Sequence, residues 1–263
     1  MRIRNIIRES LMLPFKELKL FIIVFLLAFS YEVITDSFYH INIGDLSIVK
    51  IIINMLIILI IMGIMMHITH LAVYDKKVEI RLFDSFMEGV REYVITMYYL
   101  VLTLVCSSFF IFPTGVYSKI YNLINYIKVN NADATFITIQ EISHELPIDI
   151  MMGLQRSIEI NLIITIVILI VFSSFGFIGK SILFRTDNLL YALDLRVILK
   201  VIKNIGYKRY VKFLIAIGII LIIVINIIIV LGQIFGDFII SALLETFLLF
   251  FATNAFYLIY EGK

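Results

Sequence analysis

Glu245 stands near the middle of the apolar run that closes the chain. A bare charge at the centre of a bilayer costs roughly 2.5–3.5 kcal/mol on insertion scales. Its carboxyl must therefore face other helices, find a partner, or keep its proton. It reads either as a proton- or cation-linked site or as a neutral acid hydrogen-bonded to another helix. Thr246 is adjacent, and Asn226, in the preceding apolar run, lies at a depth suited to pairing with it. Asn54, Asn161 and Asn254 are the other amides within apolar runs. Such side chains hold helices together by about 0.6 kcal/mol each, so structural glue competes with a substrate site. Glu245, Thr246, Asn226, Asn254 and Asn54 make up the candidate intramembrane polar site.

His67 and His70 fall one helical turn apart, on one face, as a metal would need. A third ligand is missing locally, since Asp75 or Glu79 reaches them only by a turn of the chain. No His-Glu-x-x-His pattern occurs, and two imidazoles near lipid headgroups are the plainer reading. The lone Cys106 makes neither an internal disulfide nor a cysteine metal motif. No phosphate-binding loop and no nucleophile elbow are present. No metal, cofactor or enzymatic activity is expected.

The elements that carry these residues follow from composition. The chain has 263 residues, 62% apolar and 16% charged. Soluble domains run at about 45–50% apolar and about 25% charged. The surplus has nowhere to go in water, which excludes soluble enzymes, nucleic-acid binders and disordered tails. An all-α, polytopic integral membrane helical bundle remains. A span needs roughly 20 apolar residues. Six runs qualify, at about 18–34, 46–73, 94–112, 158–179, 211–231 and 238–259. Pro113 closes the third, and Gly232–Asp237 makes the last two a tight hairpin. The first run also admits a signal-peptide reading, with a loose Ala28-Phe29-Ser30 cleavage pattern.

Lysine and arginine orient the chain. Eighteen of the 22 fall on the side shared by both termini, and only Lys50, Lys119, Lys128 and Arg156 on the other. The positive-inside rule then puts both termini in the cytoplasm, with the protein in the cell membrane. Tyr31, Tyr74, Tyr93, Tyr117, Tyr210, Tyr257 and Tyr260 sit near run ends, where amphipathic rings favour the headgroup level. The outer loop, about 114–157, is too small for an independent domain. Within it Tyr117–Ile127 reads as a helix, and Ala134–Ile139 alternates like a strand.

Two cytoplasmic segments read as amphipathic interfacial helices, at about 78–90 and 187–205. In the second, Arg196, Lys200, Lys203 and Tyr207 share one face, and Leu189, Leu193, Val197, Val201 and Ile205 fall away from it. Asp187 or Asn188 caps its start and Gly206 its end. Arg196, Lys200 and Lys203, with Lys208 and Arg209, form a basic surface suited to anionic lipids. The first segment is more acidic, with Glu79, Asp84 and Glu88, and reads as packed on the bundle. Ser173, Ser174, Gly176 and Gly179 form a small-residue patch that permits close helix packing.

Three cytoplasmic stretches share a basic-aromatic lead into a span: Pro14–Lys19, Gly89–Val94 and Gly206–Val211. They suggest a weak threefold repeat of interfacial helix, span out and span back. With Pro14-Phe15, Phe83-Asp84-Ser85-Phe86 plus Glu88-Gly89, then Asn204, Gly206 and Tyr210, and the closing Phe256-Tyr257, the chain resembles a known family. That family is the uncharacterised membrane group called domain of unknown function 4013, found mainly in methanogenic archaea. Its layout is similar to membrane domains fused to some glycerophosphodiester phosphodiesterases. The resemblance hints at lipids and implies no catalytic residues. The leading expectation is a non-enzymatic, transport-like or lipid-interacting protein whose partner is the bilayer, with anionic lipids favoured and nucleic acid excluded. An accessory or anchoring subunit and an intramembrane lipid-modifying enzyme are the competing readings. A protein partner and the oligomeric state stay open.

Overall fold

A computed structural model describes residues 2–37, 44–74, 82–130, 148–235 and 237–262. Among them are ten helices and no strand. They are α1 (Ile3–Lys16), α2 (Leu18–Ser37), α3 (Gly44–Tyr74), α4 (Leu82–Ser108), α5 (Val116–Asn130), α6 (Ile148–Thr186), α7 (Leu189–Leu193), α8 (Leu195–Ile205), α9 (Tyr207–Phe235) and α10 (Asp237–Glu261). Six of them, α2, α3, α4, α6, α9 and α10, are long and apolar enough to cross a membrane. Many of their large apolar side chains stay exposed, Ile222 and Ile163 among them, as lipid-facing positions must. The chain is a multi-pass, all-α membrane protein.

The described helices form two compact units, one from residues 1–97 and 174–263, the other from 98–173. In the first unit α10 is the centre. It packs against α1, α2, α3, α8 and α9. Its C-terminal half is enclosed on every side, with Phe250, Phe251 and the run from Asn254 to Ile259 all buried. Leu20, Val24 and Ala28 of α2 meet Ile61, Ile64 and Met65 of α3 and Phe250 of α10 in one apolar core. The amphipathic α1 turns Ile6, Ser10 and Leu13 inward and leaves Arg4 and Arg8 exposed. Helices α3 and α4 cross with backbones in contact. A Cβ added at Gly63 would overlap the carbonyl of Ser85, and one at Gly89 the carbonyl of Leu59. Only glycine allows that approach.

The second unit holds the far part of α4, a run of turns over 109–115, α5 and the first part of α6. Gly115, at φ 74°, starts the chain into α5, where Val116 is buried. Phe112 and Tyr117 pack ring against ring across that turn, 5.5 Å apart. Thr103 and Ser107 donate to carbonyls one turn back in α4, which satisfies two buried hydroxyls locally.

Several element boundaries differ from the sequence reading. The segment at about 78–90 is no separate helix where described: α4 runs unbroken from Leu82 to Ser108, because Gly89 serves a helix crossing rather than a helix stop. The third span ends at Ser108, ahead of Pro113. The fourth starts ten residues earlier than expected, since α6 is 39 residues long. The segment at about 187–205 breaks into α7 and α8 at Asp194, whose side chain caps α8 by accepting from the Arg196 N–H at 2.8 Å. Asn188 caps α7 through the Tyr191 N–H. Gly206 ends α8 at φ 93°, a conformation that favours glycine. The residues α8 buries are Ile198 and Ile202, one position along from Val197 and Val201, because the helix restarts its phase at Leu195. Tyr210 and Tyr257 are core residues rather than belt residues, enclosed by neighbouring helices. The helix read at 117–127 is α5; residues 134–139 lie outside the described residues.

Candidate functional site

The intramembrane polar residues do not converge. Glu245 is exposed; Ser241, one turn earlier, hydrogen-bonds to its carboxylate, and its charged neighbour is Glu32 on α2. Asn226 is also exposed and donates to its own helix, at the Ile222 carbonyl, 2.7 Å away. It is therefore not the partner of Glu245. Thr246 is buried and donates to Ala242 at 2.7 Å. Asn254 reaches a different neighbour, donating to Ser10 of α1 at 3.3 Å. Asn54 donates to Thr35 of α2 at 3.0 Å, beside Lys50, which donates to the Thr35 carbonyl at 2.8 Å. Each of these bonds ties helices together or closes a local turn. Among the small residues, Ser174, Gly176 and Gly179 are buried and Ser173 is exposed.

The side chains of His67 and His70 lie outside the described residues, as do Asp75 and Glu79. Among the described residues no three His, Cys, Asp or Glu side chains gather as metal ligands would. On α8, Arg196, Lys200 and Lys203 are exposed on the side away from Ile198 and Ile202. Lys208, at the start of α9, is exposed as well, and Arg209 is half-buried.

A second site emerges where α4 meets α6. Lys180 of α6 and Glu92 of α4 form an ion pair at 2.6 Å, and the side chain of Glu92 is only 6% exposed. Lys180 also lies 5.3 Å from the ring centre of Phe177, one turn earlier, so the aromatic face supports its charge. The adjacent α4 residue, Arg91, pairs with Asp187 just past the end of α6 and donates to its backbone carbonyl at 2.7 Å. Asp187 holds φ 53°, so Arg91 fastens a left-handed turn that ends the helix. Two adjacent α4 residues thus bind two α6-side residues of opposite charge. The outer pair is in water and contributes little. The inner pair is desolvated, at a cost of several kcal/mol per ion.

The inner pair opens on a small recess, with room for about one water. Its walls are Met66, Phe177, Phe184 and Tyr257, with the hydroxyls of Ser181 and Thr253 between them. Aromatic contacts brace these walls. Phe177 stacks on Phe256 at 4.5 Å, and Phe184 meets Tyr257 edge-on at 5.1 Å. The Tyr257 hydroxyl is turned away to Glu261, at 2.8 Å. The recess sets both charges at one wall of an apolar, aromatic setting. It shows no nucleophile–base pair.

The sequence reading missed this site. Glu92 and Lys180 each stand at the end of an apolar run, where a charge reads as an interfacial residue. No family model, no curated protein and no solved structure matches this chain.

Proposed function

We propose that this multi-pass membrane protein is a non-enzymatic, lipid-interacting protein of the cell membrane, and that it engages anionic headgroups of the cytoplasmic leaflet. The observation that carries the reading is α8. It buries Ile198 and Ile202 against the bundle and leaves Arg196, Lys200 and Lys203 exposed along one side. A helix anchored in this way holds its cations at a fixed height beside the first residues of α9, where Lys208 extends the same basic surface. Arg4 and Arg8 of α1 are further exposed cations of the same unit. Each cation near an anionic surface contributes about 1 kcal/mol.

Native mass spectrometry of the protein, released gently from detergent after exposure to equal amounts of phosphatidylglycerol and phosphatidylcholine, tests this. The expected result is preferential retention of phosphatidylglycerol. In the triple variant Arg196→Gln, Lys200→Gln, Lys203→Gln the preference falls by roughly tenfold or more, from about three lost contacts. Equal retention of the two lipids by the unaltered protein would overturn the reading.

A further inference from the structure

We propose that α5 is a membrane-surface helix, lying along the bilayer on the side opposite α8 with one face set among the acyl chains just below the headgroups. The inference is independent of the basic surface on α8. Tyr117, Ile120, Tyr121 and Ile124 recur at i, i+3, i+4 and i+7, which is one face of α5, and all four are exposed. Ser118, Lys119 and Asn122 are exposed as well, on other sides of the helix. Val116 is buried and Leu123 half-buried, so the exposed apolar face is not the one that α5 packs with. The helix holds no acidic residue that an anionic headgroup would repel.

Continuity names what covers that face. On α4, Val101, Leu104 and Val105 are exposed, and this helix is one of the membrane spans, so they meet acyl chains. The same apolar surface continues through Phe109 and Phe112 in the turns, 71% and 72% exposed, to Tyr117, whose ring packs on Phe112 at 5.5 Å. Height agrees with continuity. A Cβ built at Gly115, which leads into α5, would lie 3.9 Å from the Ser157 hydroxyl oxygen of α6. Ser157 stands one residue ahead of the apolar run at 158–179. Helix α5 therefore starts where both neighbouring spans leave the hydrocarbon. At 15 residues it is about 22 Å long, short of the roughly 30 Å bilayer core, and so lies along the surface rather than across it. Tyr117 and Tyr121 suit that level, because a tyrosine ring buries its body and keeps its hydroxyl wet. A partner protein would have to cover a strip that runs on from the lipid-facing surface without a break.

The chain has no tryptophan, so one introduced residue reports its own surroundings. The full chain is reconstituted in phosphatidylcholine vesicles, with or without bromine on the acyl chains near the glycerol. Tyr121→Trp probes the apolar face, Asn122→Trp the polar side of the same helix, and Leu104→Trp on α4 sets the scale for lipid contact. The tryptophan at 121 is expected to emit in the blue and to be quenched by brominated lipid at least about threefold more strongly than the one at 122, given burial to about 5–10 Å on one side only. If Tyr121→Trp does not fold, Ile120→Trp reads the same face. Red emission at 121 with quenching by aqueous iodide places the face in water and overturns the proposal. Blue emission that brominated lipid does not quench means that protein covers the face, a second copy or another chain, and overturns it too. Equal lipid quenching at 121 and 122 removes the one-sided immersion and likewise overturns it.

Discussion

Glu92 and Lys180 stabilise the fold only as a pair. With one partner removed, the other is a buried charge with no counter-ion, and such losses cost roughly 3–5 kcal/mol. Glu92→Leu and Lys180→Met are each expected to lower stability by that amount. The double variant, which leaves apolar groups of similar volume in an aromatic setting, is expected to return to within about 1 kcal/mol of the parent. Unfolding in detergent with increasing dodecyl sulfate measures all three, and additive losses would show that the two charges do not depend on each other. Glu245 behaves differently, because it is exposed, bonded to Ser241 one turn away, and neighboured by the like charge of Glu32. Glu245→Gln keeps a hydrogen-bond acceptor for Ser241 at this exposed position, so the same assay should show no loss of stability. The oddity of Glu245 was legible, since a carboxylate inside an apolar run stands out. The pairing of Glu92 with Lys180 was not, because residues distant in sequence meet only through the register of two helices.

At the scale of the helix, the crossing of α3 and α4 is the least tolerant feature. A methyl group at Gly63 or Gly89 would overlap the backbone of the facing helix, at Ser85 or Leu59. Backbone cannot rotate aside as a side chain can, so the two helices must separate. Gly63→Ala and Gly89→Ala are each expected to cost at least the roughly 1–3 kcal/mol of ordinary overpacking. Thermal unfolding measures this, and Gly218→Ala, at a position with open space, is the control. The α8 cap is a milder case. Asp194→Ala should cost about 1 kcal/mol through the lost hydrogen bond to the Arg196 N–H. The six long helices were legible because continuous apolar length is dictated by the bilayer. Their ends were less so. Gly89 carries the same residue type as a helix stop and serves a crossing, while Asp194 interrupts a segment whose apolar spacing continues across the break. Periodicity records which face is apolar; it does not record where a cap restarts the phase.

For the whole molecule, charge distribution is the physical argument for orientation. On the six-span order read from the sequence, eighteen of the 22 Lys and Arg are expected on the side of the termini, and the positive-inside rule then predicts that this side stays in the cytoplasm. It bears directly on the lipid reading, because α8 meets an anionic leaflet only if it lies in the cytoplasm. At 39 residues α6 is about 58 Å long, well beyond the roughly 30 Å of a bilayer core, so its length cannot fix its height and the cations must. The single cysteine makes the test clean. In a Cys106→Ser background, reporter cysteines are placed one at a time at Lys119 on α5 and Lys200 on α8, both exposed. A membrane-impermeant maleimide applied to intact cells should label the cysteine at 119 and spare the one at 200. Permeabilised cells should label both. Labelling of position 200 from outside would invert the topology. It would also remove the anionic leaflet from α8, and with it the lipid reading that rests on those cations.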